Sequence, residues 1–197
     1  NAAGKNVINL GVGIPIFLFA ADNRDIGEHA RQPNEHGYQP YIGIPELRKA
    51  SPTGIKNGMN VDLDPKTEDP ALIGSKEGIL HISLAFLNPG DGVLVPNPGY
   101  PTYSSVSKLV EANLIPYELK EELGWQPDFE ELEKMDLSNV KLMWTNYRIC
   151  RQEPMPAWNY TKSWSLSEKD GIIICNDNPY SFILNEHPLS ILSIPGA

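Results

Sequence analysis

The chain has 197 residues, and its 25 acidic side chains against 16 basic ones leave a net charge of −9. That length supports one domain or two small ones, able to bury about 70% of the unfolded chain's surface without a disulfide or metal staple. The acidic balance argues against nucleic acid and anionic membrane as partners. Two cysteines without paired spacing, Cys150 and Cys175, give no sign of an oxidising compartment, so a cytoplasmic setting is expected.

The segment Val7-Ile-Asn-Leu10 reads as a short extended piece entering a Gly-Val-Gly-Ile-Pro loop. The longest apolar run, Val7 to Ala21, has 15 residues broken by Gly11, Gly13 and Pro15, too short to span a bilayer. With Lys5 as its sole basic flank it does not read as a signal peptide. Residues 36–45 are punctuated by Gly and Pro as a loop would be, and Pro45 then occupies the first position of a helix. Leu72-Ile-Gly-Ser-Lys-Glu-Gly78 predicts a strand, a tight turn and a helix that runs to Phe86, stopped by Asn88-Pro-Gly-Asp-Gly. Further strands are predicted at Asp91–Pro96, at Leu114–Leu119 (with Pro116 pointing to a sheet edge), at Val140–Trp144 and at Gly171–Cys175. Helices are predicted over Ser104–Ala112 and, acidic, over Asp128–Met135. The run Gly171-Ile-Ile-Ile-Cys175 reads as a strand buried on both faces, with Cys175 a small core residue. Strands alternating with helices predict an α/β fold: a mostly parallel sheet with helices on both faces.

In such sheets ligands sit beyond the carboxyl ends of the strands. Asp177 and Tyr180 fall there, after the last strand. The alternative reading for Asp177 is a turn or capping residue. Gly74-Ser75-Lys76-Glu77-Gly78 opens a helix, where free backbone N–H groups and the helix dipole suit an anion. It has neither the P-loop spacing nor a Gly-x-Gly-x-x-Gly turn. Tyr100 and Tyr103 follow another strand end, where an aromatic could stack on a flat ligand or merely pack a loop. The four histidines have no metal-ligand spacing and read as structural; no metal is expected. Together a phosphate turn, an aromatic and a carboxylate at three strand ends describe a cofactor site.

A wider set of motifs carries a resemblance. Val7-Ile-Asn-Leu-Gly-Val-Gly13, Gly37-Tyr-Gln-Pro-Tyr-Ile-Gly-Ile-Pro-Glu-Leu-Arg48, Gly74–Gly78, Asn88-Pro-Gly-Asp91, Asn97-Pro-Gly-Tyr-Pro-Thr-Tyr103 and Asn176-Asp-Asn-Pro-Tyr180 occur in order and at matching spacing. They resemble the class I/II aminotransferases of the fold-type I pyridoxal 5'-phosphate (PLP) enzymes, nearest the LL-diaminopimelate and aspartate aminotransferase-like group. The resemblance implies an N-terminal segment, 1–36, and a PLP-binding large domain, 37–197, incomplete at its C-terminal end. It implies that Ser75 and Lys76 cradle the PLP phosphate and that Tyr103 stacks on the pyridine ring. Asp177 would pair with the ring nitrogen and Tyr180 with the ring hydroxyl. Tyr38 would reach the phosphate of the neighbouring subunit, and Gly13 would border the substrate. The implied reaction moves an amino group between an amino acid and a 2-oxo acid in a homodimer.

The same resemblance puts the Schiff-base lysine and the substrate-carboxylate arginine downstream of the segment matching Ala197. The expectation is therefore a fragment that does not transaminate by itself, with uncovered apolar surface that favours self-association. The alternatives are a non-catalytic association module that binds PLP weakly or not at all, and part of a carbon–sulfur lyase of the same fold. Three segments depart from the family pattern: Arg148–Lys169, without helical periodicity, Ser51–Lys56 and Ile16–Leu18. One added base before Arg148 restores Pro-His-Met-Pro-Thr-Gly-Ala and an amphipathic helix, and single added bases restore the other two. All three are expected to be compensated frameshifts; an intact reading frame in the coding DNA would refute this.

Overall fold

Two runs, Val93-Leu-Val95 and Leu142-Met-Trp144, are almost without solvent exposure and form the middle of a five-stranded sheet. The computed structural model describes residues 26–33, 37–146, 157–180 and 188–196. The chain divides into two compact units, Asn1–Tyr41 and Ile42–Ala197. In the first, residues 26–29 form a helical turn, and residues 37–41 follow as a loop with Tyr38 and Tyr41 fully exposed. Gly13 and Ile16–Leu18 lie outside the described residues.

The second unit opens with α1 (Pro45–Met59), proline at its start, ending where Asn60 turns left-handed at φ 55° and bonds back to the Lys56 carbonyl. α1 runs straight through Pro52, which is buried and gives the helix no N–H; a proline inside a helix costs about 3 kcal/mol. Then come α2 (Ser75–Phe86), β1 (Gly92–Asn97), α3 (Pro101–Leu109), β2 (Asn113–Lys120), β3 (Gln126–Pro127), α4 (Phe129–Leu132), β4 (Val140–Thr145), α5 (Ala157–Asp170) and β5 (Ile173–Asn176). The strand order is β3-β2-β1-β4-β5, with every pairing parallel except β2 with β3. The predicted α/β architecture is therefore present.

Alternation along the strands divides the core between the two sheet faces. Val93, Val95, Leu142, Trp144 and Cys175 pack with Ile79 of α2 and Tyr103 of α3. Leu94, Met143 and Ile172 pack on the other side with Phe129 and Leu132 of α4 and Leu166 of α5. Each fully buried side chain of this kind contributes roughly 1.5–3 kcal/mol.

Several local expectations change. No strand forms at Leu72–Ile73, where Ile73 is exposed; two bends lead directly into α2. α3 begins at Pro101, because proline suits the first helical position, so Tyr103 belongs to a helix instead of a loop. The acidic helix shortens to α4, capped by the Asp128 carboxylate accepting the Glu131 N–H. β5 is not buried on both faces: Ile173 is 39% exposed, and among the described residues β5 is one edge of the sheet. Pro116 pairs with Val95 on its inner side, while β3 reaches only Leu119 and Lys120, so at Pro116 the sheet does have an edge. α5 forms within the stretch expected to lack a helix, because Tyr160 and Leu166 find apolar partners that sequence periodicity alone does not supply.

Candidate functional site

β1, β4 and β5 are neighbours, and all three run the same way, so their carboxyl ends share one edge of the sheet. Past β1 the chain turns through Gly99, where a Cβ would lie 2.2 Å from the Pro96 carbonyl oxygen, so that only glycine fits. This tight approach feeds Tyr100 and then α3. Past β4 comes Asn146; past β5 comes Asp177, whose N–H bonds the Thr145 carbonyl at 2.9 Å and holds the two strand ends together.

The Tyr103 hydroxyl donates to Asp177 Oδ2 at 2.6 Å and accepts from Asn146 Nδ2 at 3.0 Å. Its ring stacks on Trp144, centroids 5.0 Å apart and planes 7° apart, and the residue is 1% exposed. Burial, then the Asp177 carboxylate, push the phenol well above its ordinary range, so it stays protonated and remains a donor. Asp177 is half-buried, and among the described residues no protein group donates to its other oxygen. Below it Cys175 is a buried thiol pushed up to about 12 by burial, and therefore no nucleophile.

Tyr103 was expected to offer a ring face to a flat ligand. Here Trp144 stacks on one face of that ring, the residue is 1% exposed, and its hydroxyl is committed to Asp177. The aromatic that remains is Tyr100, one helical turn earlier, partly buried and edge-on to Tyr103 at 5.7 Å. Lys76 Nζ stands 5.9 Å from the centre of the Tyr100 ring, linking the glycine turn to the tyrosines. That turn is the start of α2. Gly74 sits at φ +94°, has no side chain to cap the helix, and has open space around it. The Glu77 carboxylate folds back to the Ile73 N–H, and among the described residues no acceptor takes the Ser75 and Lys76 N–H groups.

Of the residues singled out in the sequence, Lys76, Tyr103 and Asp177 thus belong to one connected set, with Ser75 beside it. Tyr180, three residues past Asp177, is 48% exposed. Tyr38 belongs to the first unit. Sequence reasoning missed Asn146, although its place directly after a buried strand, like that of Asp177, was a signal. It also did not separate the buried Tyr103 from the partly buried Tyr100. Among the described residues no cluster of His, Cys, Asp and Glu could hold a metal.

A family model described as aminotransferase class I and II matches residues 5–147. The chain is 39% identical to an LL-diaminopimelate aminotransferase of Aquifex aeolicus, covering 98% of this chain and 51% of that protein. It is 34% identical to Transaminase BacF of Bacillus subtilis, covering 98% and 49%. Among solved structures, substrate-bound BacF superposes with a TM-score of 0.82 at 33% identity, over 95% of this chain and 48% of that one. An aromatic aminotransferase from Pyrococcus horikoshii superposes with a TM-score of 0.85 at 26% identity, over 97% and 52%. The chain spans about half the length of the curated relatives it matches. With the family model spanning most of the chain and these likenesses agreeing, the chain belongs to the class I and II aminotransferases.

Proposed function

We propose that this chain supplies the cofactor-holding part of an enzyme that moves an amino group between an amino acid and a 2-oxo acid, with PLP as carrier. The observation that carries the reading is Asp177: a half-buried carboxylate tied through one oxygen to Tyr103, with the other left for a ligand. PLP brings a basic ring nitrogen, a flat ring and a phosphate. The residues fit these three demands with a carboxylate, a partly buried aromatic and an uncapped helix start beside an ammonium.

In this reading the Ser75 and Lys76 N–H groups and the Lys76 ammonium hold the phosphate. Asp177 holds a proton on the ring nitrogen, since a carboxylate beside a pyridinium favours the charged form. When bound, the protonated ring acts as the electron sink of the reaction. Tyr100 takes the stacking place first assigned to Tyr103, and Tyr103 orients Asp177. Tyr180 is assigned to the ring hydroxyl, Gly13 to the substrate border, and Tyr38 to the phosphate of a neighbouring subunit in a homodimer. The Schiff-base lysine is not assigned to any residue here, so the chain by itself is expected to bind PLP without turnover. A cytoplasmic setting belongs to the same reading. Separately, among the described residues no helix is long and apolar enough to cross a membrane.

Titration with PLP, followed by quenching of tryptophan fluorescence, tests this. Saturable uptake is expected, and Asp177→Asn should weaken it tenfold or more, since a hydrogen bond to a charged group contributes roughly 1.5–3 kcal/mol. Equal uptake by the two proteins, or none by the parent, refutes the reading.

A further inference from the structure

β1 lies inside the sheet, between β2 and β4, and yet it carries a proline, Pro96. Proline has no N–H to give a ladder, which is why sheets confine it to edges, first positions and bulges. The pairing records the consequence: β1 stays in register with β2 as far as Asn97 and Glu118, but with β4 it stops at Leu94 and Met143. In a parallel ladder alternate residues turn to the same neighbour. Thr145 turns its carbonyl to β5, where it accepts the Asp177 N–H, so the Trp144 carbonyl turns to β1. The next donor in register there would be the N–H of residue 96, and a proline has none. The Tyr117 hydroxyl donates to that carbonyl instead, at 2.8 Å. We propose that Tyr117 is a positioning residue: its hydroxyl stands in for the missing N–H of Pro96 and holds the end of β4 against β1, where the cofactor site is built. This rests on the cofactor reading for its consequence, though not for the bond itself.

Three observations carry this. Tyr117 is the residue opposite Pro96 in the β1–β2 register, so its ring starts beside the gap it fills. Tyr117 and Trp144 are both buried, so water is a poor substitute, and a buried carbonyl left without a donor is costly. The end of β4 serves one cluster: Trp144 stacks on Tyr103, the Thr145 carbonyl fixes the Asp177 N–H at 2.9 Å, and Asn146 donates to the Tyr103 hydroxyl at 3.0 Å. Tyr117 packs with Leu94 and Met143, on the sheet face opposite Trp144 and Tyr103, so it steadies this cluster from behind.

A double-substitution cycle tests whether one donor replaces the other. Tyr117→Phe removes only the hydroxyl and should weaken PLP uptake about threefold to tenfold, the worth of one neutral hydrogen bond. Pro96→Ala gives β1 its N–H back, so in that background Tyr117→Phe should cost less than about twofold. Equal costs in the two backgrounds overturn the proposal, because packing of the ring would not depend on the donor at position 96. So does uptake left unchanged by Tyr117→Phe in a parent that binds PLP. Two further measurements need no cofactor. The Trp144 carbonyl carbon resonance should move upfield in Tyr117→Phe and return when Pro96→Ala is added. Hydrogen exchange at the Asp177 N–H should quicken about tenfold in Tyr117→Phe, since Thr145 loses its anchor. An unmoved carbonyl resonance or unchanged exchange overturns the proposal. Should the Pro96→Ala protein not fold, exchange in Tyr117→Phe alone decides: quickening at Asp177 but not at Val95, which pairs with β2, supports the proposal, and equal quickening at both overturns it. If the parent takes up no PLP the cofactor reading fails, while the resonance and the exchange still decide what Tyr117 does.

Discussion

Both faces of the sheet bury small polar side chains, and they treat them differently. On the face with Trp144, the hydroxyls of Ser83 in α2 and Ser107 in α3 are fully buried, and each donates to the carbonyl one turn back, Ile79 and Tyr103, at 2.8 Å. On the face covered by α5, Asn159 and Ser163 are equally buried, yet Asn159 Oδ1 and Ser163 Oγ have no partner among the described residues. The Trp144 indole N–H is the matching exception on the first face. A serine in a core therefore costs according to its partner, since a buried polar group left unbonded loses about 1–3 kcal/mol.

The largest expected effect comes from alkali. Cys175 and Tyr103 on the first face and Tyr160 on the second are all raised by burial from ordinary values of 9.0 for the thiol and 10.0 for the phenols. Such groups stabilise the fold fully below their unfolded values, and this contribution is lost as pH rises above them. The urea midpoint should be insensitive to these groups at pH 7–8 and fall steeply above pH 10; Cys175→Ala should remove the earliest part of the fall. Tyr103→Phe should flatten the curve more than Tyr160→Phe, because the Asp177 carboxylate adds to burial at Tyr103 while a hydrogen bond with Asn176 offsets burial at Tyr160; the reverse order would overturn this. Next, Leu142→Ala, at a side chain with 0% exposure, should cost about 2–5 kcal/mol in urea unfolding. The smallest effect should be Ser163→Ala, neutral or stabilising by up to about 1 kcal/mol, because it deletes an unbonded hydroxyl. A loss there comparable with that of Leu142→Ala would mean that Ser163 has a partner and that the contrast between the faces is wrong.

The buried strands were legible because continuous runs of Val, Leu, Ile and Met have nowhere to sit but between two helical layers. The glycine turn before α2 and the position of Asp177 past a strand were legible for the same reason: turn chemistry and strand ends are local. α5 was not legible, because its buried face is only partly apolar and its fit depends on Tyr160 and Leu166 meeting residues far away in sequence. Pro52 lies inside α1, a position that local propensity alone disfavours.

The site shows the same division. By itself the sequence determined a turn with free N–H groups opening α2, an aromatic pair after β1 and a carboxylate after β5; the strand it placed before the turn does not form. Only the tertiary structure decided which tyrosine is buried against the sheet and which stays at its edge. Tyr100 and Tyr103 sit one turn apart, and spacing alone cannot say which of them turns toward the sheet. Setting β4 and β5 beside β1 puts Trp144, Asn146 and Asp177 against Tyr103, and Tyr100 is left at the edge near Lys76. Strand order is a long-range property of the packed chain, and the contacts at this site follow from it.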